Sequence, residues 1–387
     1  MKKTKTNALR KSASPGKRPG SAAVRAGQHT LQEILSQPAA WIETTRQFEQ
    51  NGWFAKLSQL FSRAEPWLFV ACGSSYYLSR TVAAQWSRLL GVSCSAIPAS
   101  ELLFSPEETL RETGARQAVL ISRTGKTTEV LRAAELLKSK ESMRTLGVTC
   151  SENSELENLC TLTWKLPWTD EKSMVMTRSF TSILLLFERI AARFAADRAL
   201  AAALEAVPQK TERWLRGNAD KIRAFAAKRH FTDYVFLGQG AHYWLAQEAA
   251  LKLTEMSSSY AQAYHTLEFR HGPKSIASKE TLITFLLSED AATEESMLVG
   301  EVKKLGAATM VVTNRATTQL RGESDLLIEL EMEEPECARM ALTVIPAQLL
   351  GLEVGLRKGL NPDTPKNLTR AVVLDANDAK AGKRRSA

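Results

Sequence analysis

At 387 residues, with 44% hydrophobic and 24% charged side chains, the chain is long enough for two domains and too apolar for a disordered, collagen-like or coiled-coil bulk. The net charge of +9 sits at the ends: eight Lys and Arg and no acid lie within residues 1–25, and Lys380, Lys383, Arg384 and Arg385 face only Asp378 beyond residue 375. The near-neutral body argues against nucleic acid as a partner and leaves only the basic tails for it, and five cysteines without a CxxC pair indicate neither a disulfide framework nor zinc.

Residues 1–29 mix Lys, Arg, Ser, Ala, Pro and Gly without an apolar period and read as a disordered basic tail. Over residues 30–66, Leu31, Ile34, Leu35, Trp41, Ile42 and Phe48 follow helical spacing with a break at Pro38, which predicts a helical pair. Residues 67–72 form an apolar run, Gly73-Ser74-Ser75 a turn, and a helical pattern follows through Trp86 and Leu90. The same order recurs at residues 118–122, Thr124-Gly125-Lys126-Thr127 and a helix over 129–137, and residues 145–149 read as another buried strand. Alternating strands and helices predict a parallel sheet with crossover helices, a three-layer α/β domain over residues 67–210. Adding 167 to Phe69, Gly73, Tyr76, Leu78 and Ala83 gives Phe236, Gly240, Tyr243, Leu245 and Ala250, and residues 281–287 and 308–313 repeat the later strands. We read a duplicated α/β unit, the second domain spanning 211–374, with Ala-, Arg- and Lys-rich linking helices over 196–230 and a basic tail over 375–387. No uninterrupted apolar run of membrane length and no secretory signal is found, so the expectation is a cytoplasmic protein without membrane contact.

A hydroxyl-rich turn after a buried strand and before a helix offers backbone N–H groups and a favourable dipole to an anion. Gly73-Ser74-Ser75 and Ser122-Arg123-Thr124-Gly125-Lys126-Thr127 are two such turns, placed where open sheets bind ligands. Neither GxGxxG nor GxxxxGK[ST] is present, so a phosphate monoester fits better than a dinucleotide or a nucleoside triphosphate. In the second copy Gly238-Gln239-Gly240-Ala241-His242 lacks the paired hydroxyls. Glu248, Lys252 and Glu255 share one helix face, a spacing that by itself reads as a solvated ion-pair stripe, and His271 before Gly-Pro by itself reads as a structural turn residue.

Taken together, Ala71-Cys-Gly-Ser-Ser-Tyr76, Ser122-Arg-Thr-Gly-Lys-Thr127, Ala250-Leu-Lys-Leu-Thr-Glu255 and Glu268-Phe-Arg-His-Gly-Pro-Lys274 resemble the sugar isomerase (SIS) superfamily over residues 67–372. In order and spacing they resemble the isomerase half of glucosamine-6-phosphate synthase. Leu31-Gln-Glu-Ile-Leu-Ser-Gln-Pro38, the run up to Ser275 and Asn361-Pro-Asp-Thr-Pro365 resemble more the tagatose-6-phosphate ketose/aldose isomerase group of galactosamine-6-phosphate deaminase/isomerases. The resemblance implies two tandem SIS domains and a homodimer or higher homo-oligomer. The implied activity is a cofactor- and metal-free isomerase or deaminase acting on a sugar 6-phosphate, with no glutaminase activity. It further implies Glu255 as the C1/C2 base and His271, from a neighbouring subunit, as the ring-opening group. Ser74, Ser75, Ser122, Arg123, Thr124 and Thr127 would bind phosphate, and Thr177 would touch the sugar. Arg123 and Lys126 replace Gln and Glu of the synthase, and Arg370 replaces its C-terminal lysine; an arginine stays protonated and forms no Schiff base. A non-catalytic phosphosugar-binding regulator uses the same fold and is the alternative.

Overall fold

The computed structural model describes residues 25–374. The tail expected over residues 1–29 lies outside the described residues as far as residue 24, and that over 375–387 lies outside them entirely. Ten strands form two parallel sheets. The first holds β1 (Trp67–Ala71), β2 (Cys94–Pro98), β3 (Gln117–Ile121), β4 (Arg144–Thr149) and β5 (Leu162–Lys165) in the order β2-β1-β3-β4-β5. The second holds β6 (Asp233–Gly238), β7 (Ala261–His265), β8 (Thr281–Leu286), β9 (Ala308–Thr313) and β10 (Leu326–Glu329) in the order β10-β9-β8-β6-β7. Read from the other edge, the second order repeats the first, which makes the duplication structural. Each sheet reverses its strand order between its first and third strands, β1/β3 and β6/β8, and that reversal opens a crevice at the strands' carboxyl ends.

Strand alternation sorts the core into layers. Along β1, Trp67, Phe69 and Ala71 join the large apolar cluster between the sheets, while Leu68 and Val70 join a smaller one under helix Thr128–Lys138. In the second sheet Val235, Ile283 and Val311 likewise pack under helix Ala292–Lys304. The central cluster runs unbroken from Phe69 and Trp86 through helix Arg178–Phe194 to Phe236 and Met310, so the two domains share one core. Helix Ser74–Leu90 packs directly on helix Ala241–Ser257, its counterpart in the second domain. Helix Ile345–Arg357 closes the latter's far side at two glycines: a Cβ on Gly355 would stand 2.2 Å from the Met256 carbonyl oxygen, so only glycine allows this approach. Helix Arg198–Lys228 links the domains.

Three expectations change. The N-terminal region forms three helices, Gln28–Leu35, Gln37–Gln50 and Trp53–Leu60, instead of a pair. The third exists because Trp53 stacks on Trp164 of edge strand β5 at 5.0 Å between ring centroids. The first begins at Gln28 inside the expected tail, because Asp363 accepts hydrogen bonds of 2.8 Å from both Thr30 N–H and Thr30 Oγ1 and Asn361 Oδ1 accepts one from Gly27 N–H. One stretch, Glu336–Arg357, is long and apolar enough to cross a bilayer, with a mean hydropathy of 1.3. It is two consecutive core helices, Glu336–Thr343 and Ile345–Arg357, with 89% of its apolar window buried.

Candidate functional site

Both hydroxyl-rich turns reach the β1/β3 crevice. Gly73 adopts φ 57° and ψ −132°, a conformation open to glycine, and it swings the chain from β1 into helix Ser74–Leu90 with Ser74 and Ser75 at its first positions. Beyond β3, Ser122 N–H donates to Val148 O, Gly125 turns at φ 65°, and Thr127 precedes helix Thr128–Lys138. A Cβ on Gly125 would lie 2.0 Å from Ser154 Oγ, so this turn also requires glycine. Ser122 Oγ and Thr127 Oγ1 stand 3.0 Å apart, and Lys126 N–H donates to Thr124 Oγ1 at 3.3 Å. The structure therefore gathers Ser74, Ser75, Ser122, Thr124 and Thr127 at the carboxyl ends of adjacent strands.

Arg123 and Thr177 are engaged elsewhere. The buried Arg123 guanidinium pairs with Glu171 at 3.0 Å and donates to the carbonyls of Val175, Met174 and Arg370 at 3.1, 2.7 and 3.3 Å. Thr177, also buried, donates its N–H and hydroxyl to Glu171 Oε1 at 2.6 and 3.1 Å, while Ser179 donates to both Glu171 oxygens. Glu171 thus caps helix Arg178–Phe194 and ties Arg123 to the loop that leads into it. These two residues hold the crevice wall, the geometry differing from the ligand contacts the resemblance implies.

The Glu248–Lys252–Glu255 stripe is not solvated. Glu248 and Lys252 are 0% exposed, and Lys252 Nζ hydrogen-bonds Glu255 and stands 3.5 Å from Glu248. Burial pushes the Glu248 carboxyl up to about 8, reinforced by the charge of Glu255 and opposed by Lys252 and the adjacent Ser74 hydroxyl. Burial works against the Lys252 ammonium, but the two carboxylates outweigh it and raise its proton affinity. Glu255 is the member that keeps contact with solvent, at 17% exposure. Ser74 beside Glu248 brings the first turn against this stripe. His271 lies apart, exposed between two short 3-10 turns, Glu268–Arg270 and Pro273–Ile276, and its ring makes no hydrogen bond among the described residues.

Several organising residues were not legible as such. Glu33 accepts from Lys172 N–H at 2.6 Å and also bonds Ser173, despite burial that raises its pKa. Met174 N–H donates to Asp363 O at 3.0 Å, so the first helix and the Asn361–Asp363 turn clamp the Glu171 loop together. Residues 370–374 cross the second turn: Arg370 pairs with Asp170, Thr128 N–H donates to Val372 O at 3.1 Å and Leu374 N–H to Thr128 Oγ1 at 2.9 Å. The available signal was an acid a few residues before a helix, as Glu171 is.

The SIS domain family model matches residues 60–193 and 232–355. A glutamine–fructose-6-phosphate aminotransferase of Methanothermobacter thermautotrophicus is 28% identical over 348 residues, 89% of this chain and 57% of that protein. The Yersinia pseudotuberculosis enzyme of the same name is 29% identical, covering 90% of this chain and 59% of that one. The chain thus spans less than two thirds of these relatives. Among solved structures, a glucosamine-6-phosphate deaminase from Thermotoga maritima is 31% identical with a TM-score of 0.70, covering 89% of this chain and 100% of that one. A tagatose-6-phosphate ketose/aldose isomerase from Escherichia coli shares the fold, with a TM-score of 0.78 at 22% identity, covering 92% of this chain and 98% of that one.

Proposed function

Since the chain belongs to the SIS domain family, with both domains of a tandem pair present, we propose that it is a phosphosugar aldose–ketose isomerase that deaminates a hexosamine 6-phosphate to a ketose 6-phosphate and ammonia. The observation that supports this reading is the Glu248–Lys252–Glu255 stripe, buried except for the half-buried Glu255, with Glu248 beside the Ser74 hydroxyl. A sugar phosphate seated by Ser74, Ser75, Ser122, Thr124 and Thr127 extends its carbon chain away from the sheet edge, and the anchored far end fixes the reacting end. His271, supplied by a second copy of the chain, opens the ring by proton transfer at the ring oxygen. Glu255 then takes the C2 proton as O1 gains one, giving an enolamine, and returns it to C1 as the nitrogen gives up a proton, leaving an imine at C2. Water adds there and passes a proton to the nitrogen, and ammonia leaves with the C2–N electron pair as the remaining O–H proton is lost to close the ketone. Lys252 sets a fixed ammonium against Glu255 and aligns its carboxylate. Names of similar proteins that act on glucosamine 6-phosphate and tagatose 6-phosphate support this substrate class.

The test is ammonia release from galactosamine 6-phosphate and from glucosamine 6-phosphate, each mixture read by NMR for ketose 6-phosphate. Ammonia with ketose from one epimer is expected and identifies the substrate. Ketose exchange without ammonia reduces the reading to a plain isomerase, and binding of both sugars without turnover overturns it in favour of a regulator.

A further inference from the structure

The second crevice, at β6/β8, holds a cavity of about 540 Å³, within the size range of small-molecule sites. Its walls come from both domains: Gln85 and Arg88 of helix Ser74–Leu90 on one side, the Gln239–His242 turn and Ser288–Asp290 on the other. None of the hydroxyl-bearing residues of the first crevice lines it.

An anion is the wrong guest here. Glu289 N–H, on the turn after β8, donates to Glu336 at 2.6 Å, so a carboxylate of the chain itself occupies the backbone donor. Of the charges around the cavity, Arg88 pairs with Asp290 at 2.6 Å, Glu289 with the nearby Arg339, and Glu336 is held by the Glu289 N–H. What remains without a partner is neutral. Gln85 is 7% exposed, and its Oε1 and that of Gln239 are buried without a hydrogen bond. His242 is 3% exposed, its ring makes no hydrogen bond among the described residues, and its nearest acid, Glu336, stands 3.9 Å away. Burial lowers the His242 pKa and keeps the ring neutral. Two amides and a neutral imidazole each donate and accept, the complement of hydroxyl groups, which do the same. Leaving the two buried amide oxygens of Gln85 and Gln239 unpaired is costly, and a ligand that pairs them removes the cost.

We propose that this cavity is a second binding site, for an uncharged polyhydroxylated molecule of monosaccharide size, held by Gln85, Gln239 and His242. It does not depend on the reaction assigned to the first crevice.

The full chain is titrated with glucose, galactose and N-acetylglucosamine, with saturation-transfer NMR and calorimetry as readouts, in the presence and absence of saturating fructose 6-phosphate. Binding of at least one of the three that persists with fructose 6-phosphate present is expected, as is at least a tenfold weakening in both Gln85→Leu and Gln239→Leu. Gln239 lies on a half-exposed turn, so the second variant stands if the first fails to fold. Binding of none of the three overturns the proposal; so does displacement by fructose 6-phosphate, or binding unchanged in both variants.

Discussion

The two domains repeat one sheet order but differ at the crevice where it reverses. In the first, the turn after β3 leaves hydroxyls facing one another, Ser122 and Thr127 at 3.0 Å, and Glu171 is drawn back to cap a helix and hold Arg123. In the second, the turn after β8 is filled by Glu336, and Ser288 donates to the buried Glu295 at 2.8 Å from both its N–H and its hydroxyl. The repeat thus keeps the scaffold while one carboxylate changes place, held on a helix start in the first copy and on the turn's backbone donor in the second. The first domain brings the hydroxyl-rich turns and the second the Glu255 helix, and packing of helix Ser74–Leu90 on Ala241–Ser257 sets them side by side, as the proposed reaction requires.

The comparison breaks first at Glu255. Glu255→Gln is expected to lower turnover about 10²–10⁴-fold in the ammonia-release assay with hexosamine 6-phosphate binding retained, because the general base is lost and the anion seat is not. Next comes the contrast between the two carboxylates. Glu171→Gln leaves Arg123 buried with a neutral partner and should destabilise the fold by about 3–5 kcal/mol in urea titration. Glu336→Gln, at a site partly open to the cavity, should cost far less. The seats themselves form the third test. Ser122→Ala or Thr127→Ala should raise KM by about tenfold or more through loss of a hydrogen bond to a charged group, and Ser288→Ala should leave KM unchanged.

The last test concerns pH. With its folded pKa raised to about 8 from 4.5, Glu248 contributes stability that is fully present below pH 4.5 and lost as pH rises through about 8. Glu248→Gln does not titrate, so its melting temperature relative to the native chain should rise between pH 5 and pH 9 in parallel thermal melts. A constant difference would count against the raised pKa.

Much of the fold was legible because it is locally encoded. The six central strands, β1, β3, β4, β6, β8 and β9, are buried on both faces and read as continuous apolar runs. The strands with no clear signal are β2, β5, β7 and β10, all four at sheet edges and half-exposed, where composition need not be apolar. The glycine turns were equally legible, since Gly73 and Gly125 mark backbone that other residues resist. Local spacing also placed Glu248, Lys252 and Glu255 on one face.

The residues alone determined the duplicated α/β architecture, the two hydroxyl-rich turns and the shared face of the Glu255 helix, because periodicity and turn chemistry act over a few positions. Only the tertiary structure decided that the stripe is buried, that Arg123 is taken by a carboxylate 48 residues away, and that Glu336 fills the second crevice. Those outcomes depend on which distant loop supplies a charge or withholds water, and in a dry interior the nearest partner, not the local pattern, sets what a polar side chain does.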